Sequence, residues 1–170
     1  YFLMILSSCL RGRNKDKIFP ILTGVGNNSK SVLKKIIEAA FGEYVCTLPT
    51  SLLTVKRGSS SAATPELVFC KGARIAFLQE PDSDEKIKGG VLKELSGGDS
   101  FYARALHSDP KMQEALFKIF LMCNYVPSIP NRDIAIVNRV KIVPFKSVWS
   151  NGEKGSPKVP ETIEEQYKQK

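Results

Sequence analysis

The chain has 170 residues and a mass of 18.8 kDa, which suits one domain, or one domain and a tail. At 42% apolar and 25% charged residues, its composition excludes wholesale disorder. Lysine and arginine total 25 against 17 acids, so the formal charge is +8 and the pI is near 9.4, which points to a polyanionic partner, nucleic acid above all.

The chain begins at Tyr1 rather than Met, as a piece of a longer protein would. Its first ten residues, YFLMILSSCL, are apolar but too short to span a bilayer, and no basic stretch precedes them as in a signal peptide. They read as a buried helix of a protein that is neither secreted nor membrane-bound. Residues 11–17, RGRNKDK, form a polar, basic loop. Ile18 to Leu22 reads as a buried strand. A glycine-containing loop follows. Val32, Leu33, Ile36, Ile37, Ala40 and Phe41 then recur at helical spacing until Gly42 ends the pattern.

Residues 44–61 read as a short strand or helix and then a mobile loop with Gly58 and Ser59 to Ser61. The spacing predicts a helix over 64–70, capped by Thr64 with Pro65 at its first position. Arg74 to Leu78 is a strand that leads into Gln79 and Glu80. A helix over 86–95 is closed by Gly97 and Gly98. Phe101–Leu106 and Ala115–Cys123 are extended candidates flanking a polar tip from His107 to Glu114, the second also readable as a helix. Ile134 to Val143 is a further strand region. From Asn151 on, four bases and four acids cancel, so the whole charge excess lies in residues 1–150. The expected division is a helix and basic loop over 1–17, a core over 18–149 and a polar tail over 150–170.

The four cysteines, Cys9, Cys46, Cys70 and Cys123, are unevenly spaced with no CxxC, and His107 is the only histidine. Neither a zinc site nor a disulfide framework is expected, and a reducing compartment fits. Hydrolases built on Ser-His or Cys-His pairs have little support.

Five stretches carry chemistry. The first is Gly24-xxxx-Ser29-Lys30-Ser31, between a strand and an amphipathic helix. A phosphate-binding loop needs converging backbone N–H groups at a helix N-terminus, a lysine for the β- and γ-phosphates and a hydroxyl for Mg²⁺. Ser29 stands where glycine is usual, which is tolerable if its φ is negative. The second is Glu80, at a strand end where an acid orders Mg²⁺ or orients the attacking water. The third is Asn124, whose amide suits the γ-phosphate or that water. The fourth is Arg139, a candidate trans-acting finger. The fifth is the stretch from Leu92 through Lys93, Arg104, His107 and Lys111, a hairpin whose basic residues suit nucleic-acid phosphates.

In order, GVGNNSKS at 24–31, GARIAFLQEP at 72–81, LKELSGGDSFYAR at 92–104, LMCNYVP at 121–127 and NRDIAIVNRVKIVPF at 131–145 resemble the superfamily 3 helicase domain of the AAA+ group. The similarity is to the branch found in primase–helicases of pox-like and iridovirus-like DNA viruses and related phage proteins. It implies an α/β, RecA-like P-loop NTPase: a central, mostly parallel five-stranded sheet flanked by helices, with an inserted β-hairpin. It implies that Gly24, Val25, Gly26, Asn27, Asn28, Ser29, Lys30 and Ser31 hold ATP, with Ser31 and Glu80 on Mg²⁺. Lys30, Glu80, Asn124 as sensor 1 and Arg139 would be catalytic, while Lys93, Arg104, His107 and Lys111 would contact DNA. A hexameric ring on single-stranded or forked DNA, a primase module in the same longer chain and a viral replication site in host cytoplasm or nucleus are further implications. Two other readings stand beside it: a nucleotide-gated DNA-binding or assembly module with little turnover, and a different P-loop enzyme such as a small-molecule kinase.

Overall fold

Five short apolar runs build one parallel sheet: β1 (Phe19–Thr23), β2 (Val45–Leu48), β3 (Ile75–Leu78), β6 (Lys118–Cys123) and β7 (Val140–Pro144), in the order β2-β3-β6-β1-β7. The computed structural model describes residues 1–55, 64–82, 85–98, 100–106, 108–129 and 133–149. Every neighbouring pair in this sheet is parallel, with Ile21 opposite Leu121, Leu78 opposite Leu121 and Ile21 opposite Ile142. Strands covered on both faces need apolar residues throughout, and β3 accordingly reads IAFL, all buried.

Alternation along these strands separates two cores. Phe19, Ile21, Ala76, Leu78, Ile119 and Leu121 pack with Leu52, Leu53, Leu67, Leu92 and Leu95. These come from α3 (Ser51–Thr54), α4 (Pro65–Phe69) and α5 (Gly89–Gly97). Leu22, Ile75, Phe77 and Phe120 face the other way, onto Ile5 and Cys9 of α1 (Phe2–Cys9) and Ile37 of α2 (Lys30–Phe41). Phe120 is fully buried and meets the rings of Phe2 and Phe77 at 6.4 and 5.6 Å. Burying one such side chain contributes about 2–3 kcal/mol. Ser96, Asn14 and Lys118 are buried polar groups, and the first two are hydrogen-bonded, Ser96 to Leu92 O and Asn14 to Ser96 O. No helix is long and apolar enough to cross a membrane among the described residues.

The expected α/β architecture is present, with the helix over 30–41 ended by Gly42 at φ 54°. Four local readings need correction. Ile134 to Val143 is not one strand: α6 (Ile134–Arg139) precedes β7, because Asp133 caps the helix by accepting from Ala135 N at 2.9 Å. The hairpin consists of β4 (Ser100–Ala103) and β5 (Lys111–Glu114), antiparallel, with Tyr102 opposite Met112. Lys111 to Glu114 is therefore strand rather than tip, and the segment from Lys118 joins the central sheet instead of the hairpin. Thr64 occupies the N-cap of α4, but its hydroxyl makes no cap bond and accepts from Arg104 N at 3.3 Å. Finally, Cys46 and Cys70 form a disulfide, with Cα atoms 5.8 Å apart. The part of the expected loop with Gly58 and Ser59 to Ser61, and the tail over 150–170, lie outside the described residues.

Candidate nucleotide site

Strand order decides which residues meet. β6 lies between β1 and β3, so the segments leaving the carboxyl ends of these three strands are neighbours: the loop 24–29, Gln79-Glu80 and Asn124. In open parallel sheets this edge is where ligands bind. A cleft of about 360 Å³ lies there, lined by Lys30, Ser31, Glu80, Cys123 and Asn124, among others.

The loop is shaped by backbone demands. Gly24 has φ 154°, and a Cβ there would stand 2.5 Å from both Phe145 O and Asn28 Nδ2. Only glycine fits that approach. Asn27 and Ser29 have φ 51° and 66°. Ser29 is thus left-handed, contrary to the negative φ that would have made its Cβ harmless; its position needs the conformation that glycine adopts freely. The buried Asn28 braces the loop from within, donating to Val25 O at 3.1 Å and accepting from Lys30 N at 3.4 Å. From outside, Phe145 N donates to Thr23 O and Trp149 N to Asn27 O, both at 2.7 Å. The loop then opens into α2, whose first turn presents N–H groups and the positive end of the helix dipole. Lys30 is buried, and its ammonium donates to the loop's own Gly24 carbonyl.

Glu80 is held at 2.8 Å by the backbone N–H of Asn124, which donates to Oε1. Thr23 fixes that turn in its place, its hydroxyl donating to Asn124 O at 3.0 Å. Thr50 does the same for the other side of Glu80, donating to Gln79 O at 2.7 Å. Burial first, then the negative charge of Glu80, push the Cys123 thiol up to about 11, against weaker opposite pulls from Lys30 and Thr23. It therefore stands protonated in the cleft at neutral pH.

Lys30, Ser31, Glu80 and Asn124 are thus brought together. Arg139 is not: it ends α6 and folds back on that helix, donating to Ala135 O at 2.5 Å, with its Nε buried and without a hydrogen-bond partner among the described residues. Among the residues read as contacts to DNA, Lys93 is paired with Asp133 at 2.8 Å, tying α5 to the start of α6. Arg104 donates its Nε to Ser108 O at 2.9 Å, Lys111 opens β5 opposite Ala103, and His107 lies outside the described residues. Sequence reasoning missed Thr23, the brace behind Asn124, and the cleft-lining Lys34, Lys35 and Glu38. Their signal was available: Lys34 and Lys35 follow Lys30 and Ser31 at i+4 on the same helix face.

The site and sheet define an α/β fold of the RecA-like kind, with a glycine-containing loop, an acid and an asparagine at adjacent strand ends. The chain belongs to a family of proteins of large DNA viruses named as putative helicases and primases. It is 41% identical over 147 residues to the protein named "Putative helicase L207/L206" of Acanthamoeba polyphaga mimivirus, a match covering 86% of this chain and 15% of that protein. It is 37% identical over 153 residues to "Putative helicase 022R" of Frog virus 3, covering 88% and 16%, and 27% identical over 155 residues to "Primase D5" of Fowlpox virus, covering 88% and 19%. The chain spans less than a fifth of the length of each of these relatives. Its fold is that of the C-terminal region of NrS-1, at TM-score 0.60 and 15% identity over 81% of this chain and 33% of that one. No protein-family model matches the chain.

Proposed function

We propose that residues 18–149 are the ATP-hydrolysing core of a viral DNA helicase. The observation that carries this reading is the meeting of Lys30, Ser31, Glu80 and Asn124 in one cleft, with Glu80 already oriented by the Asn124 N–H. The relatives support the helicase part.

In this reading the amides of residues 24–31 hold the phosphates, and Lys30 exchanges the Gly24 carbonyl for a phosphate oxygen. Ser31 and Glu80 hold Mg²⁺, which would offset negative charge on the phosphoryl oxygens. The oxygen donors present, a hydroxyl and a carboxylate beside one cleft, suit that hard cation. Glu80 orients the attacking water and takes its proton, and the Asn124 amide holds the γ-phosphate. Arg139, remote from its own subunit's cleft, acts on the nucleotide of a neighbouring copy in a hexameric ring. Single-stranded or forked DNA is the track. A primase module in the same longer chain and a replication site in host cytoplasm or nucleus complete the reading. Ser29, at φ 66°, favours the alternative of a nucleotide-gated module with little turnover.

ATP hydrolysis measured against protein concentration, with and without single-stranded DNA, tests this. Turnover is expected to rise more than linearly and to be stimulated by DNA. Lys30→Ala should lose nucleotide binding, whereas Glu80→Gln should keep it and lose roughly a hundredfold or more in rate. Binding without turnover in the parent protein at every concentration would favour the module; undiminished turnover in Glu80→Gln would remove Glu80 from the mechanism.

A further inference from the structure

The opposite edge of the sheet carries a second charged feature. The loop between α1 and β1 holds Arg11, Arg13, Lys15 and Lys17, all exposed, against one acid, Asp16. Asp16 is already paired, its Oδ2 lying 3.7 Å from Nζ of the buried Lys118. Arg13 meets Glu114 only at 4.0 Å, between exposed side chains, a contact worth little. The loop therefore keeps a strong positive excess.

It is also rigid. Asn14 is 1% exposed and ties the loop at three points: its Nδ2 donates to Ile18 O at 3.1 Å and to Ser96 O at 2.9 Å, and its Oδ1 accepts from Ile18 N at 3.3 Å. Gly12, at φ 64°, packs so closely on the Arg74 guanidinium that a Cβ would meet it at 2.6 Å. Four long cationic side chains thus stand on a fixed backbone. Arg13 and Lys15 line a crevice of about 200 Å³ whose other wall is Gly97, Gly98 and the Glu114–Leu116 segment, where the β4–β5 hairpin returns to the sheet. The loop and the foot of the hairpin form one surface, separated from the nucleotide cleft by the length of β1, roughly 17 Å.

We infer that the Arg11–Lys17 loop is a phosphate-backbone contact for the nucleic acid on which the motor acts, continuous with the hairpin. This rests on the helicase reading above for its choice of polyanion. Exposed cations on a preordered backbone lose little entropy on binding and release counterions from the strand, so the contact is sequence-tolerant and salt-dependent.

The test is fluorescence anisotropy of labelled oligo(dT) over a range of NaCl concentrations, with the parent chain and the Arg11→Gln/Arg13→Gln/Lys15→Gln/Lys17→Gln variant. Loss of four phosphate contacts should lower the slope of log K against log salt by about 3 and weaken binding several hundredfold near 0.1 M salt. A fluorescent ATP analogue should bind the variant as tightly as the parent, and Arg11→Lys/Arg13→Lys should keep the slope. If the fourfold variant also lost the analogue, Arg11→Gln/Lys15→Gln would be read instead, with about half the change in slope expected. An unchanged slope in the Gln variant, with binding weakened by Lys111→Gln, overturns the loop assignment alone. No binding of DNA by the parent at any salt overturns the loop assignment and the nucleic-acid reading together.

Discussion

Two residues of the loop between β1 and α2 make opposite demands. Gly24 cannot gain a side chain without striking Phe145 O, whereas Ser29 carries one in a conformation that disfavours it by about 1–2 kcal/mol. Gly24→Ala should therefore lower the melting temperature and abolish nucleotide binding. Ser29→Gly should leave stability unchanged or raise it by up to about 1 kcal/mol, the strain relief being partly offset by the added freedom of the unfolded chain. Ser29→Val, with a branched Cβ at positive φ, should destabilise by about 2 kcal/mol or more. Thermal melts with and without ATP separate the three. The order strand, loop, helix here was legible from the string alone, because spacing within such a unit is local. The sign of φ at Ser29 was not, since Phe145, Trp149 and Cys123, which set the loop's path, come from distant parts of the chain.

Among the elements, α6 shows how a short signal overrides a longer one. Ile134, Ile136 and Val137 are β-branched and read as strand, yet the Asp133 carboxylate satisfies the free N–H of Ala135 and starts a helix. The same carboxylate receives Lys93, and that hydrogen bond holds its pKa below the usual carboxylate value. A group whose folded pKa is depressed stabilises the protein above its unfolded pKa, about 3.9, and that contribution fades as pH falls through the lower folded value. Melting temperature should thus fall on acidification below about pH 4, and Asp133→Asn should flatten that limb while lowering stability slightly at pH 7. An acid limb identical in both proteins would remove the pair from the pH dependence. The hairpin was half legible: β4 and its polar approach stood out, but Lys111 to Glu114 has no apolar alternation, and only pairing with β4 makes it a strand.

For the molecule as a whole, the succession of buried runs made the α/β class legible, while the lateral order of the strands was not in the string. The Cys46–Cys70 link was hidden for the same reason: β2 and the end of α4 are 24 residues apart and become neighbours only once β2 pairs with β3. Closing a loop of that length should contribute roughly 3 kcal/mol through the unfolded state. Reductant should lower the unfolding free energy by that amount and so the denaturation midpoint, and Cys46→Ser should match the reduced protein and no longer respond to reductant. A midpoint indifferent to reductant would show that the bridge contributes nothing to stability.

The bonds from Phe145 N to Thr23 O and from Trp149 N to Asn27 O have a consequence in time. A chain emerging from a ribosome exposes residues 23–31 before β7 and the residues up to Trp149 that brace them. Until β7 has slid in beside β1, the loop has a helix behind it and nothing to define its outer curve. Competence to hold a nucleotide should therefore arrive abruptly near the completion of this segment, not gradually with its length. Nascent chains arrested after β6 should ignore ATP, and chains arrested far enough past Trp149 to clear the exit tunnel should bind it.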